Sequence, residues 1–407
     1  MTERVAVRAG RAFDGREHVP GGLTVLVEGV RIVGVQPAGH EIPDGWPLQD
    51  LPTATLLTGL IDAHVHLCGD SADGALDERL PGFDDETLAA VITEALRQHL
   101  AAGVTTVRDL GDRRWAVLER RDRAVAGDGW PTILAAGPPV TSVRGHCWHM
   151  GGEVEGGEQI TAVVRERAER GVDVVKIMAS GGVVTPGTDV LRCQFTLDEM
   201  RLAVDQAHAA GLPITAHAHG LAAVEQALEA GVDGVEHCTC MTEQGVRMTE
   251  ELLQSLVQRE TAVCPTLGII ADLVPPAALV ALFKRMGVTM EEALALRLRK
   301  AGDMYHAGVR LVSGSDGGIS NGKPNGILPR SIADLVDGGV PNAAALASAT
   351  SVAAEACRVG DRKGRLAEGY DADLLLVDGD PLTDITALER VLRVMTQGTW
   401  AGQVSDP

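Results

Sequence analysis

Aromatic residues are scarce in this chain: four Phe, two Tyr and five Trp among 407 residues. A large core must therefore be assembled from Ala, Val, Leu and Ile, residues that suit strands buried on both faces by flanking helices. Long apolar runs are also missing. No segment reaches the ~20 residues of a membrane-spanning helix, and residues 1–8 lack the apolar stretch of a signal peptide. Positive charge is in short supply, with 36 Lys and Arg against 56 Asp and Glu and a net charge of −20. Without a compensating basic block, that balance argues against nucleic acid or an anionic membrane as partner. The seven cysteines are odd in number and lack the spacing of a disulfide framework, as expected of reduced thiols in a cytoplasmic protein. Cys238 and Cys240 read as small apolar residues in a packed loop, since thiolate metal sites come as larger sets.

What is present is enough for one large domain or two smaller ones, with 45% hydrophobic residues and 23% charged. Both ends of the chain are β-rich. Short runs at 5–7, 23–27 and 31–35 are separated by Gly, Pro and charged turns, and 374–377 and 391–395 repeat that texture. These ends predict a small β-sandwich domain composed of residues 1–58 and 358–407. Between them, residues 59–357 alternate strand and helix. Candidate strands lie at 105–108, 133–136, 172–178, 213–217, 234–237, 261–264 and 309–314, with one more ending at His64. Helical patterns lie at 86–102, 159–170, 197–210, 221–230 and 250–259. Several end at a glycine, as Ala101-Ala102-Gly103 and Glu229-Ala230-Gly231 do. Eight strands with crossover helices predict an α/β fold, a (β/α)8 TIM barrel with its active site at the strands' C-terminal ends. A doubly wound open sheet is the alternative, but it would not bring all the strand ends to one centre.

Chemistry-bearing residues gather at those ends. In Gly59-Leu60-Ile61-Asp62-Ala63-His64-Val65-His66, two imidazoles one residue apart project to one side of a strand. Imidazole is a preferred ligand of zinc and its neighbours. Lys176, His217, His237 and Asp316 each close another short apolar strand, and the ordered series points to a metal-dependent hydrolase. Read alone, Asp316 also fits a helix N-cap ahead of Gly317-Gly318. A Lys in this position also suits snorkelling to solvent or pairing with a carboxylate. His219 shares strand parity with His217 and so faces the same side, as a substrate or relay group or as a packed histidine. Arg144 and His146 follow the third strand, where loops carry substrate contacts and both side chains suit a carboxylate. His18, His40, His99, His208 and His306 are expected to be structural or solvated. The acidic stretch 70–86 is expected as a solvated loop over the barrel mouth, and the turn-rich 321–326 lies near that mouth.

The series His-x-His, Lys, His, His, Asp on successive strands resembles the amidohydrolase superfamily with a binuclear metal centre. The likeness runs from Leu57-Thr58-Gly59-Leu60-Ile61-Asp62-Ala63-His64 to Gly364-Arg365-Leu366-Ala367-Glu368-Gly369-Tyr370-Asp371-Ala372-Asp373. Lys176-Ile177-Met178-Ala179-Ser180-Gly181-Gly182, His217-Ala218-His219-Gly220 and Val235-Glu236-His237 are similar to its imidazolonepropionase-related branch. That branch holds prolidase-like dipeptidases and carboxypeptidases acting on N-acyl amino acids.

The resemblance implies two divalent metal ions, with zinc suited to the ligands. His64 and His66 would hold the more buried ion and His217 and His237 the more exposed one. Lys176 would bridge them as a carbamate formed with CO2. Asp316 would ligate the buried ion and act as general base toward a metal-bridging hydroxide. His146, His219 and Arg144 would contact substrate.

The implied reaction is hydrolysis of an amide bond, in a dipeptide or an N-acyl amino acid. The same centre suits a cyclic amide, a carbamate, a lactone or a phosphotriester. Deamination fits less well, because deaminases of the superfamily generally use one metal and lack the bridging Lys. A catalytically inactive binding or assembly protein would be marked by lost ligands, and here all six positions are filled. The partner is a small-molecule substrate, with a homo-oligomer compatible with such barrels.

Overall fold

The computed structural model describes residues 3–270 and 277–402. Strands from both ends of the chain form one mixed sheet of eight strands. Arg4–Phe13 pairs antiparallel with Leu23–Glu28 and parallel with Leu48–Thr58, which in turn pairs antiparallel with Leu374–Asp378. The four apolar residues of 374–377 explain how this sheet joins the rest. Side chains alternate along a strand, so Leu374 and Leu376 enter a core of their own with Val7, Val25 and Leu56. Leu375 and Val377 enter the main core on the other face.

The middle of the chain builds parallel sheets flanked by helices, as its alternation predicts. Leu60–Val65, Val104–Asp109 and Thr132–Ala135 form one ladder. Val175–Met178, Ile214–Gly220, Gly234–Thr242 and Ala262–Cys264 form another, extended by the short antiparallel strand Gly245–Val246. Isolated parallel bridges Val140 to Ile177, Val263 to Leu311 and Val65 to Gly317 lie between these ladders. The regular ladders are thus two open sheets rather than one continuous eight-stranded ladder.

The expected strand at 309–314 is an extended segment carrying bridges only. A polar contact breaks its ladder: the Ser315 amide donates to Asp62 Oδ1 at 2.9 Å instead of to a neighbouring carbonyl. Gly314 lies so close to His64 and Cys264 that a Cβ there would sit 2.6 Å from the Cys264 sulfur.

Helix boundaries follow local chemistry. Asp84 caps Asp85–Ala101 by accepting from the Thr87 amide, and Thr196 and Glu199 make a capping box on Leu197–Ala209. Gly231 ends Leu221–Ala230 in the left-handed conformation that glycine adopts without strain. Two helices, Ala277–Met286 and Met290–His306, occupy a stretch where the sequence predicted no element. The second is announced by a capping box in which Thr289 Oγ1 accepts from the Glu292 amide and the Glu292 carboxylate accepts from the Thr289 amide.

His99, expected as structural or solvated, is fully buried on Asp85–Ala101 and hydrogen-bonds through Nε2 to Asn325 Oδ1 at 3.2 Å. Burial lowers its pKa from 6.5 to about 4. The unfolded chain therefore binds a proton at His99 that the folded chain resists, and stability falls as pH drops from 6.5 to 4. The loss attributable to His99 is about 3 kcal/mol. Urea titrations at pH 7 and pH 4 on the wild type and His99→Gln measure it as the difference in their pH dependence. Parallel curves for the two proteins would remove His99 as the cause.

Candidate metal centre

Six strand-end residues meet in one pocket. His64, His66, Lys176, His217, His237 and Asp316 all line a space of about 1120 Å³ that opens to solvent. Five of them lie on or just after an apolar strand that buries the backbone and turns a polar side chain to the centre, and Asp316 follows the extended segment 309–314. Successive imidazoles touch: ring centroids lie 5.4 Å apart for His64 and His66, 5.3 Å for His64 and His237, and 4.5 Å for His217 and His237.

Among the described residues three sets of donors have ligand atoms within 4.8 Å of one another: His64 with His66 and Asp316, His217 with His219 and His237, and His64 with Glu236 and Cys264, of which only the first two lie wholly in the pocket lining. Hydrogen bonds decide which ring nitrogen carries the lone pair. The His66 Nδ1 faces the Gly111 carbonyl at 3.2 Å, and a carbonyl can only accept, so Nε2 is left free. That Nε2 lies 3.4 Å from Asp316 Oδ1, as does Nε2 of His64. His217 is held the other way round, donating through Nε2 to the Gly181 carbonyl at 3.2 Å. His237 Nδ1 bonds Thr266 Oγ1 at 2.7 Å. Burial lowers the pKa of His64 to about 4 and holds His217 and His237 well below the ordinary range, so the rings are neutral and can donate lone pairs. Nitrogen and oxygen donors of this kind fit a divalent ion of the zinc class.

Asp316 does not cap a helix; the next one in the described chain is Leu328–Asp337. Burial alone would raise its pKa, but His64, His66 and Lys323 together hold the carboxyl below the usual range. Asp316 and His237 have φ of +58° and +67°. Left-handed backbone is costly for such residues, and strain of this kind is characteristic of functional sites. Lys176 is fully buried, and desolvation lowers its pKa toward the neutral amine.

The expected substrate residues divide. His146 and His219 line the pocket, with ring centroids 4.5 and 4.7 Å from that of His217. His146 bonds Thr185 Oγ1 at 2.9 Å, and His219 bonds Thr239 Oγ1 at 3.0 Å. Arg144 does not line it; the side chain is exposed, its guanidinium 5.7 Å from the centre of the Trp148 ring. The acidic segment 70–86 contributes Leu76 to the pocket, while Asp70 pairs with Arg79 at 2.5 Å.

Three contributors escaped the sequence reading. Glu236 sits on the opposite strand parity from His237 and accepts from His64 Nδ1 at 2.7 Å, Thr215 Oγ1 at 2.7 Å and Arg108 Nη2 at 3.1 Å. A carboxylate inside the apolar run Gly234-Val235-Glu236 was the available signal. Lys323 emerges from the 321–326 turn, and Arg297 comes from a helix whose existence the apolar periodicity did not reveal.

Glu236 is a positioning residue whose removal leaves the His64 Nδ1 proton without a partner and takes from Arg108 its paired carboxylate, leaving it the Ala63 carbonyl. Glu236→Ala should therefore cost about 3–5 kcal/mol in denaturant unfolding, the range for breaking a buried ion pair from one side. A loss under about 1 kcal/mol would show that the network contributes little.

Against known proteins, residues 55–401 match the model of the Amidohydrolase family, whose members are generally metal-dependent. The ochratoxinase of Aspergillus niger is 24% identical over 365 residues, covering 82% of this chain and 72% of that protein. The crystal structure of a Xaa-Pro dipeptidase with methionine bound in its active site is similar with a TM-score of 0.84 at 27% identity, covering 98% of this chain and 99% of that one. Molinate hydrolase shares the fold with a TM-score of 0.84 at 24% identity, covering 100% of this chain and 97% of that one. Every residue that lines the pocket lies within the matched span; the chain belongs to the amidohydrolase family and is a hydrolase acting on amide bonds.

Proposed function

We propose that this enzyme cleaves the amide bond of a dipeptide or an N-acyl amino acid at a binuclear centre. The observation that carries the reading is the convergence of His64, His66, Lys176, His217, His237 and Asp316 on one pocket. In this reading His64, His66 and Asp316 would hold one divalent ion, zinc by donor type, and His217 and His237 would hold the second. Lys176 would contribute a ligand to both once its neutral amine had combined with CO2, releasing a proton and leaving an anionic carbamate. When bound, the ions supply Lewis acidity, which polarises a carbonyl and lowers the pKa of water.

The chain's own residues do the rest. Asp316, kept ionised in the pocket, accepts a proton from the attacking water as its oxygen bonds the carbonyl carbon, and passes that proton to the amine nitrogen as the C–N bond breaks. Glu236 fixes the ring of His64, and Thr266 that of His237, so the donors lose little freedom on binding. His146 and His219, both neutral by burial with pKa values of about 3, offer hydrogen bonds to substrate without adding charge.

The fold reading goes with this function. The bridges at Val140, Val263 and Val65 support completion of the two parallel ladders into a (β/α)8 barrel over 59–357, with 1–58 and 358–407 as the composite β unit. Seven unpaired cysteines support a reducing, cytoplasmic setting. No helix among the described residues is long and apolar enough to cross a membrane.

The test is an assay of protein reconstituted with zinc and bicarbonate against dipeptides and N-acyl amino acids, detecting released amine. Turnover should be lost on chelation and return with zinc, tracking two ions per chain by mass spectrometry. Two bound ions with no amide cleaved would sink the peptidase reading. Cyclic amides, carbamates, lactones and phosphotriesters are then the substrates to assay, a range that the shared fold of molinate hydrolase keeps open.

A further inference from the structure

The pocket is more basic than the chain around it. Against a net charge of −20, its described lining carries two basic side chains, Arg297 and Lys323, besides the proposed carbamate of Lys176, and one carboxylate side chain, Asp316. Fixed positive charge inside a cleft of an acidic protein attracts anions that the rest of the surface repels.

The basic side chains are not equivalent. Lys323 is spent on the fold: its Nζ lies 2.7 Å from the Ser315 carbonyl and 2.9, 3.1 and 3.2 Å from those of Thr266, Leu267 and Gly268. Lys176 is the proposed bridge. Arg297 has donors to spare. Its Nη2 bonds the Pro265 and Thr266 carbonyls at 3.0 and 2.9 Å and reaches Thr266 Oγ1 at 3.5 Å. Its Nε and Nη1 hydrogen-bond nothing among the described residues, and no carboxylate pairs with it there. A half-buried guanidinium held by two carbonyls and a hydroxyl, with the Asp316 and Asp334 carboxylates acting on it only from beyond salt-bridge distance, can take a further anionic partner.

The helix that bears it adds a second observation. Met290, Leu294 and Arg297 stand at positions i, i+4 and i+7 of Met290–His306, one stripe of the helix, and all three line the pocket. Phe283, from the preceding helix, lines it with them. One wall is therefore apolar along its length and ends in a cation beside Thr266, the residue that bonds His237.

We infer that Arg297 binds a carboxylate of the substrate while Phe283, Met290 and Leu294 receive an apolar group attached to it. The substrate class is then a hydrophobic amide with a free carboxylate, such as an N-acyl derivative of a large aliphatic amino acid. The inference rests on the amide-hydrolase reading and narrows it. It also moves the role of carboxylate anchor from Arg144, which lies outside the pocket, to a planar fork inside it.

The experiment compares binding and turnover so that the two readings can fail separately. Calorimetry on the metal-loaded enzyme measures octanoate against octanamide, probes that share an apolar tail and differ in charge. Turnover is measured for N-acetyl-L-leucine against its carboxamide. The wild type should favour octanoate, and Arg297→Gln should shrink that preference about 10–100-fold, the scale of a lost charge-assisted hydrogen bond. The acid-to-carboxamide ratio of kcat/KM should shrink in parallel, mostly through KM.

Arg297→Lys, which keeps the charge without the fork, should lie between, and it serves as the variant if Arg297→Gln does not fold. A wild type indifferent to the charge, or a preference that survives in both variants, overturns the inference. If the octanoate preference collapses in the variant yet the wild type cleaves no amide, the anion site stands and the amide-hydrolase reading falls.

Discussion

Asp316→Asn should lower kcat by about 10²–10⁴-fold, the range for loss of a general acid–base group, with cooperative unfolding retained. The substitution keeps the shape of the side chain and removes the charge and the proton-accepting oxygen. In the folded protein that oxygen stands 3.4 Å from both His64 Nε2 and His66 Nε2, and among the described residues no other carboxylate lines the pocket. The fold has little stake in the carboxylate as such, because the Asp316 amide, which the substitution keeps, is what donates to the His64 carbonyl at 2.7 Å. Steady-state kinetics with melting curves on the same preparation checks this. Turnover within a few-fold of the wild type would remove Asp316 from the chemistry. A protein whose role is binding or assembly would keep that role in this variant.

The second large effect belongs to Lys176. Lys176→Ala should lose at least one bound ion per chain and lower kcat/KM by more than about 100-fold, because even the outer partners of metal ligands are worth 10–100-fold. Acetate or propionate should restore part of the activity by placing a carboxylate in the space the side chain leaves. Isotopically labelled bicarbonate should give a carbamate resonance in the wild type that the variant lacks. The physical ground is desolvation: a fully buried amine with a lowered pKa is the form that can react with CO2. A variant with both ions and full activity would leave Lys176 as a buried structural cation.

The alternation of apolar and polar residues on short strands already located the centre in the sequence. His64 and His66 had to share a face because the strand period is two, and His217 and His219 for the same reason. The run of four apolar residues at 374–377 had to be buried on both faces, and the structure divides it between two cores. These features are local, set by backbone geometry and hydrophobicity over a few residues.

What tertiary structure decided lies beyond that range. Glu236 supports His64 across 172 positions of sequence. Asp62 takes the Ser315 amide across 253, which breaks the ladder that apolar patterning at 309–314 predicted. Lys323 reaches four carbonyls from a turn, and Arg297 enters the pocket from a helix on which only positions 290, 294 and 297 face the site. Arg144, chemically as suitable a carboxylate partner as Arg297, instead points outward over Trp148. Residue type and strand parity determine which side chains can do chemistry and which way they face along their own strand. Which of them meet is set by long-range packing and by buried polar groups that must find partners wherever the fold supplies them.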